Sequence, residues 1–217
     1  METGNNATPT KKETNTLFPI FLKLEKMRVL LVGAGNVGLE KLEALMHNAP
    51  KTEVHVVAQQ VLPSFAAFAE QFDNVKVFTT NYDASFIDGC DIVIAAVNDH
   101  HLSAQIRDDA HSKGKLINAA DKPDLCDFYL GSVITKGNLK MAISTNGKSP
   151  TVAKRLKEVF NEMLPEELDQ VLDNLQKIRN DLKGNFSEKV QELNKLTQVL
   201  VEKPLSDAEK YEQYWFL

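Results

Sequence analysis

Short, nearly uninterrupted apolar runs alternate with longer stretches of helical spacing. Val29-Leu30-Leu31-Val32 is the first run, and Leu39, Leu42, Leu45 and Met46 follow it on one helical face. The pattern predicts strands over Arg28–Val32, Glu53–Ala58, Val75–Phe78, Asp91–Ala96 and Leu116–Ala120. It predicts helices over Val37–His47, Leu62–Phe72 and Leu102–His111, the second with Phe65, Phe68 and Ala69 inward. Tyr82–Ile87 reads as a short crossover capped by Asp83, and His55 as an ordinary strand residue. Strands this apolar are covered on both faces, as in a parallel sheet. Repeated β-α units with short connections argue for a doubly wound sheet with right-handed crossovers. Leu17–Leu22 is a further apolar segment, predicted as an extra edge strand, a place that suits Pro19.

After Asp121 the rhythm changes. Phe128–Ile134 and Leu139–Ser144 read as two strands around Thr135-Lys136-Gly137-Asn138. A polar loop, Thr145–Thr151, feeds a helix over Val152–Met163. Three more helices are predicted over Pro165–Leu182, Ser187–Val201 and Ser206–Tyr214. Leu168, Val171, Leu172, Leu175 and Ile178 share one helical face and read as core. The expected fold is α/β: a Rossmann-like doubly wound parallel sheet, a small α+β dimerisation region, and a C-terminal helical domain. The expected divisions are a disordered tail over 1–16, a nucleotide-binding domain over 17–121, the dimerisation region over 122–164, and the helical domain over 165–217.

A net charge of −5 gives no general attraction to nucleic acid or to an anionic membrane. No apolar run is long enough to span a membrane, and the polar start has no signal-peptide core, so a cytoplasmic location is expected. Cys90 and Cys126 have neither C-x-x-C spacing nor a His at ligand spacing, which argues against a zinc site and a disulfide framework. No resident metal site is assigned.

The turn after the first strand reads G-x-G-x-x-G, with Gly33, Gly35 and Gly38. The first glycine permits the sharp turn, the second lets a pyrophosphate approach the backbone, and the third lets helix and strand pack closely. Free N–H groups at the helix start favour a phosphate anion. A glycine-rich turn with no ligand has the same letters, but the strand-then-helix context points to a dinucleotide. The second strand usually ends in an Asp or Glu that binds the ribose. Here Gln59 and Gln60 stand there instead, able to hydrogen-bond a ribose but without charge assistance, so selectivity for NAD over NADP is weakly specified. Asn98 and Asp99 follow the fourth strand, where nicotinamide or ribose would lie; a plain strand-end turn is the alternative.

Joined in order, several segments resemble a known family. They are Leu17-Phe18-Pro19-Ile20-Phe21, Leu31 through Lys41, Ala95-Ala96-Val97-Asn98-Asp99, Asn118-Ala119-Ala120-Asp121-Lys122-Pro123, and Ala142 through Pro150. The chain resembles the bifunctional precorrin-2 dehydrogenase/sirohydrochlorin ferrochelatase, the module found alone or at the front of siroheme synthases. The resemblance covers roughly Leu17 to Leu164. Tyr129-Leu130-Gly131-Ser132-Val133 departs from the family's Phe-x-x-Pro-Ala-type stretch. No methyltransferase module follows, so precorrin-2 is expected to come from elsewhere.

The resemblance implies NAD as cofactor, precorrin-2 and sirohydrochlorin as substrates, Fe2+ as substrate metal, and a homodimer. It implies that the essential aspartate is Asp121, and that phosphate-site and adenosine-side contacts fall on Asn36, Val37, Gln59 and Gln60. Dehydrogenation needs a hydride acceptor and a base for a ring proton. Asp121 is the candidate base, and its carboxylate could also guide Fe2+; on sequence alone it could equally cap a turn before Pro123. Ser144, Thr145, Asn146 and Lys148 are candidate substrate contacts, the hydroxyls alternatively satisfying backbone groups. Lys148, Lys154 and Arg155 would suit a polycarboxylate, or form a solvated face. His100 and His101 are read as exposed loop residues. Two other readings stand beside this one: an enzyme with one of the two activities, and a non-catalytic NAD(H)-binding sensor.

Overall fold

The computed structural model describes residues 14–198. The tail expected over 1–16 falls outside this range up to residue 13, and the helix expected over Ser206–Tyr214 falls wholly outside it.

Five parallel strands form one sheet in the order β3-β2-β1-β4-β5. They are β1 (Arg28–Ala34), β2 (Glu53–Val61), β3 (Val75–Thr79), β4 (Ile92–Ala95) and β5 (Leu116–Ala119). The connecting helices are α1 (Asn36–Asn48), α2 (Pro63–Ala69) and α3 (His100–Ser112). Successive strand residues point to opposite faces. One set, Val29, Leu31, Val54, Val56, Ile92 and Ile94, meets Leu42, Leu45 and Met46 of α1 and Phe65 of α2. The other, Leu30, Val32, Val57, Val93 and Ile117, meets Ile106 and Ala110 of α3. Both faces are therefore covered, which is why the strands carry apolar runs rather than an alternating pattern. Truncating a fully buried Leu31 or Ile94 to Ala would cost about 2–5 kcal/mol. Strand order reverses between β1 and β4, and ligands of open α/β sheets gather outside the carboxyl ends at such a reversal.

A hairpin of β6 (Ser132–Lys136) and β7 (Leu139–Ile143) follows. Gly131 lies so close to Ile143 that a side chain there would meet its carbonyl. Then come α4 (Pro150–Met163), α5 (Leu168–Asp181) and α6 (Phe186–Thr197). Among the described residues the chain forms two compact units. One takes the chain to Ile134 together with Met141–Val159; the other takes Thr135–Lys140 and the chain from Phe160 on. In the second unit Asp169 accepts from the backbone and side-chain N–H groups of Asn138 at 2.7 and 2.9 Å, fixing the hairpin turn to the start of α5. Among the described residues no helix is long and apolar enough to cross a membrane.

Three expectations need correction. Leu17–Leu22 is not a strand: it joins neither sheet, and Phe18 and Phe21 are 86% and 69% exposed. An apolar run makes a strand only where an edge receives its backbone, and Pro19 removes one donor. The α5 face of Leu168, Val171, Leu172, Leu175 and Ile178 is not core within one chain, since α5 buries no residue. Its amphipathic neighbour α6 also buries none, so the pair cannot exclude water from either stripe. His100 and His101 are not loop residues but open α3, because Asp99 caps the helix three residues before its apolar spacing begins.

Candidate functional site

The glycine loop behaves as its spacing requires. Gly33 has φ +109°, a region L side chains rarely adopt. A Cβ there would also run into the Ala96 carbonyl at the end of β4, and it would meet the Val97 side chain at 3.3 Å. At Gly38 a Cβ would collide with the Gly33 carbonyl, so α1 can sit against β1 only with glycine there. At Gly35 a Cβ would meet nothing within 4 Å. Gly35 is the N-cap of α1 and offers no side-chain cap, and the first turn carries no acid. The N–H groups of Asn36, Val37 and Gly38 therefore begin a 13-residue helix without a carboxylate in front of them. Open space before an uncapped helix start fits a pyrophosphate.

The second strand is longer than its apolar run. Val32 pairs with Val57, but Ala34 pairs with Val61, so Ala58, Gln59 and Gln60 face the single residue Gly33. The excess makes a bulge, and bulges re-aim side chains at strand ends. Gln59 and Gln60 are exposed in it, beside the glycine loop, at the position where a ribose contact is expected.

The acids near the sheet divide by what they do. Asp83 accepts from Ser85 N–H at 2.9 Å and caps a short turn. Asp99 Oδ1 accepts from His101 and Leu102 N–H at 2.8 and 3.2 Å, bonds that hold its carboxyl below the usual range. Asp127 accepts from Ile117 N–H at 2.9 Å and pairs with His111 at 3.0 Å. The Asp121 carboxylate makes no hydrogen bond or ion pair among the described residues and is exposed. Its φ is +59°, at the third position of a turn closed by Lys122 N–H to the Ala119 carbonyl at 3.2 Å. Gly or Asn is the usual choice there, so Asp costs about 1 kcal/mol at a position where local structure makes no use of its carboxylate. With β4 between β1 and β5, Asp121 stands two strand spacings, about 10 Å, across the reversal from the glycine loop.

The surroundings hold that turn firmly. Buried Asn118 donates to the Phe128 carbonyl at 2.9 Å. The Cys126 sulfur accepts from Ala119 N–H at 3.2 Å and lies 3.1 Å from the Ala119 carbonyl. Burial pushes the thiols of Cys126 and Cys90 up, which suits packing rather than nucleophilic chemistry. Lys122 donates to the carbonyls of Val97 at 2.9 Å and Ala120 at 3.4 Å. Beyond its place in the family motif, no local pattern marks Lys122 for this role: its partners are main-chain carbonyls, one of them 25 residues away.

Ser144, Thr145, Asn146 and Lys148 form a turn ahead of α4. Asn146 and Gly147 have φ +53° and +74°, and Lys148 N–H closes the turn on Thr145. The Ser144 hydroxyl accepts from Asn146 N–H at 3.2 Å. The Thr145 hydroxyl accepts from Ser149 N–H and donates to the Ser149 carbonyl. Among the described residues no hydrogen bond or ion pair joins residues 144–148 to the glycine loop, Gln59, Gln60 or Asp121. Lys148 is exposed. No group of three or more His, Cys, Asp or Glu side chains among the described residues could hold a metal ion.

A family model described as "Putative NAD(P)-binding" matches residues 20–132, more than half of the chain. A second, "Sirohaem biosynthesis protein central", matches residues 136–160. Siroheme synthase 1 of Cronobacter sakazakii is 33% identical over 155 residues, 71% of this chain and 32% of the relative. A siroheme synthase of Citrobacter koseri is 30% identical over 169 residues, 78% of this chain and 36% of the relative. The chain thus spans about a third of the length of the curated relatives it matches. A solved structure titled "SirC, precorrin-2 dehydrogenase" shares the fold with a TM-score of 0.65 at 22% identity, over 83% of this chain and 89% of that one. The glycine loop with its open helix start lies inside the first matched region, β7 and most of α4 lie inside the second, and the chain belongs to the "Putative NAD(P)-binding" family whose model matches residues 20–132.

Proposed function

We propose that this chain oxidises precorrin-2 to sirohydrochlorin with NAD+ and then inserts Fe2+ into the product. The observation that carries the reading is Asp121, an unengaged carboxylate held at positive φ across the strand reversal from an anion-ready glycine loop. Relatives titled siroheme synthase and a fold neighbour titled precorrin-2 dehydrogenase support the substrate class.

Gly35, Asn36, Val37 and Gly38 would hold the pyrophosphate, and Gln59 and Gln60 the adenosine ribose. Bound there, NAD+ supplies the hydride acceptor. Asn98 and the backbone of Asp99 border the nicotinamide end at the close of β4. The Asp121 carboxylate takes the proton released as the ring carbon loses hydride, then faces the product's pyrrole nitrogens. As a hard oxygen donor it can also receive Fe2+ and take up pyrrole protons during insertion. Ser144, Thr145, Asn146 and Lys148 offer donors to the substrate carboxylates. Gln59 and Gln60 carry no charge toward a 2′-phosphate, so the preference for NAD over NADP is modest. The reading includes a homodimer in the cytoplasm; the exposed apolar residues of α5 and α6, such as Val171, Ile178 and Val190, support the dimer.

Two anaerobic assays test it. Precorrin-2 with NAD+ and no metal should give sirohydrochlorin; sirohydrochlorin with Fe2+ and no NAD+ should give siroheme. Failure of the first overturns the dehydrogenase reading, and failure of the second removes the chelatase half. NAD+ binding without tetrapyrrole binding would favour a sensor.

A further inference from the structure

We infer that Lys122 is a positioning residue that fixes the Asp121 carboxylate relative to the glycine loop, a role that rests on the proposed dehydrogenase reading. Its ammonium reaches back from the β5 turn to the Val97 carbonyl beyond β4, at 2.9 Å, and donates to the Ala120 carbonyl at 3.4 Å. Val97 in turn packs over Gly33, its Cγ1 lying 3.3 Å from where a Cβ on Gly33 would be. A continuous line of contacts therefore runs from Gly33 through Val97 and Lys122 to the residue beside Asp121.

The other ties on this turn do not make that connection. Lys122 N–H to Ala119, the Cys126 sulfur and the Asn118 amide all act between the end of β5 and the residues that follow it. Ala120 N–H to Ala95 joins the strand ends themselves at 2.9 Å. Among the described residues Lys122 makes the only side-chain hydrogen bond between the β5 turn and the segment that leads into Asn98 and Asp99. No carboxylate among the described residues pairs with its ammonium. A flexible four-carbon stem ending in an ammonium can satisfy two strand-end carbonyls that point to one spot, which a shorter or apolar side chain cannot. Among the described residues the Asp121 carboxylate makes no hydrogen bond, so its placement depends on the backbone that Lys122 holds. A misplacement of about 1 Å of a reacting group can cost 100-fold in rate.

The test uses Lys122→Met, which keeps the stem and loses the donors, and Lys122→Ala with added ethylammonium. For Lys122→Met we expect kcat for precorrin-2 oxidation to fall about 30- to 100-fold, with NAD+ affinity within about threefold and Tm little changed. For Lys122→Ala we expect ethylammonium to restore part of the rate in a saturable way. An active wild type with an unaffected Lys122→Met overturns the role alone. So does a loss that follows Tm or NAD+ affinity, or an Ala variant that ethylammonium does not rescue. A wild type inactive on precorrin-2 overturns the site reading, and this role with it.

Discussion

The carbonyl oxygen of Gly33 occupies the place that a Cβ on Gly38 would need. Strand and helix meet there backbone to backbone, and this sets the angle at which α1 presents its free N–H groups. The second glycine is different, because nothing lies within 4 Å of a Cβ built on Gly35.

The two glycines should therefore separate folding from binding. Gly38→Ala is expected to lower Tm by many degrees or leave the protein insoluble, since backbone rather than a movable side chain blocks the Cβ. Gly35→Ala should keep Tm within a few degrees while weakening NAD+ binding at least tenfold, because the methyl enters the space proposed for the pyrophosphate. Thermal melts and NAD+ titration of both variants check this.

Glu53 gives a pH prediction at the opposite end of the sheet. It accepts from Arg28 at 3.0 Å, His55 at 3.0 Å and Lys76 at 3.3 Å. The Arg28 bond leads in holding its carboxyl down at about 2; partial burial opposes, and His55 and Lys76 add to the lowering. A carboxyl depressed in the folded state contributes stability that is complete above its unfolded pKa. That contribution is lost as pH falls through the folded value. The wild type should therefore lose stability between about pH 4.5 and 2, and Glu53→Gln should lose less over the same range. The difference will be modest, since the cluster is about one-third exposed. Tm against pH for the two proteins measures it.

Asp99 makes a second, opposed case to Asp121. Its carboxylate caps α3, so Asp99→Ala should lower Tm by a few degrees. Asp99→Asn, which keeps an accepting oxygen, should restore most of that loss. Precorrin-2 turnover at saturating NAD+ should fall less than tenfold in either variant.

Much of this arrangement is legible in the sequence, for identifiable reasons. Val29–Val32 and Ile92–Ala95 read as buried strands because both faces of the sheet are covered. Gly33 and Gly38 read correctly because their spacing encodes a backbone approach. Leu17–Leu22 misled because an apolar run does not reveal whether a sheet edge will receive it. The α3 start is not legible because apolar spacing begins at Leu102, while the helix begins where Asp99 can cap it. The bulge that presents Gln59 and Gln60 depends on strand register, a tertiary property. The Lys122 bond to Val97 joins two segments that only folding brings together. The family motif marks Asp121 as a candidate; its positive φ and unengaged carboxylate are visible only in three dimensions.

The most direct measurement is the yield of NADH and sirohydrochlorin from precorrin-2 under anaerobic conditions, for the wild type and for Asp121→Asn. Asparagine tolerates the same backbone conformation, so Tm and NAD+ affinity should match the wild type. The wild type should form one NADH per sirohydrochlorin, and the variant should be slower by about 100-fold or more, the contribution of a general base. Equal rates in the two proteins would contradict the account.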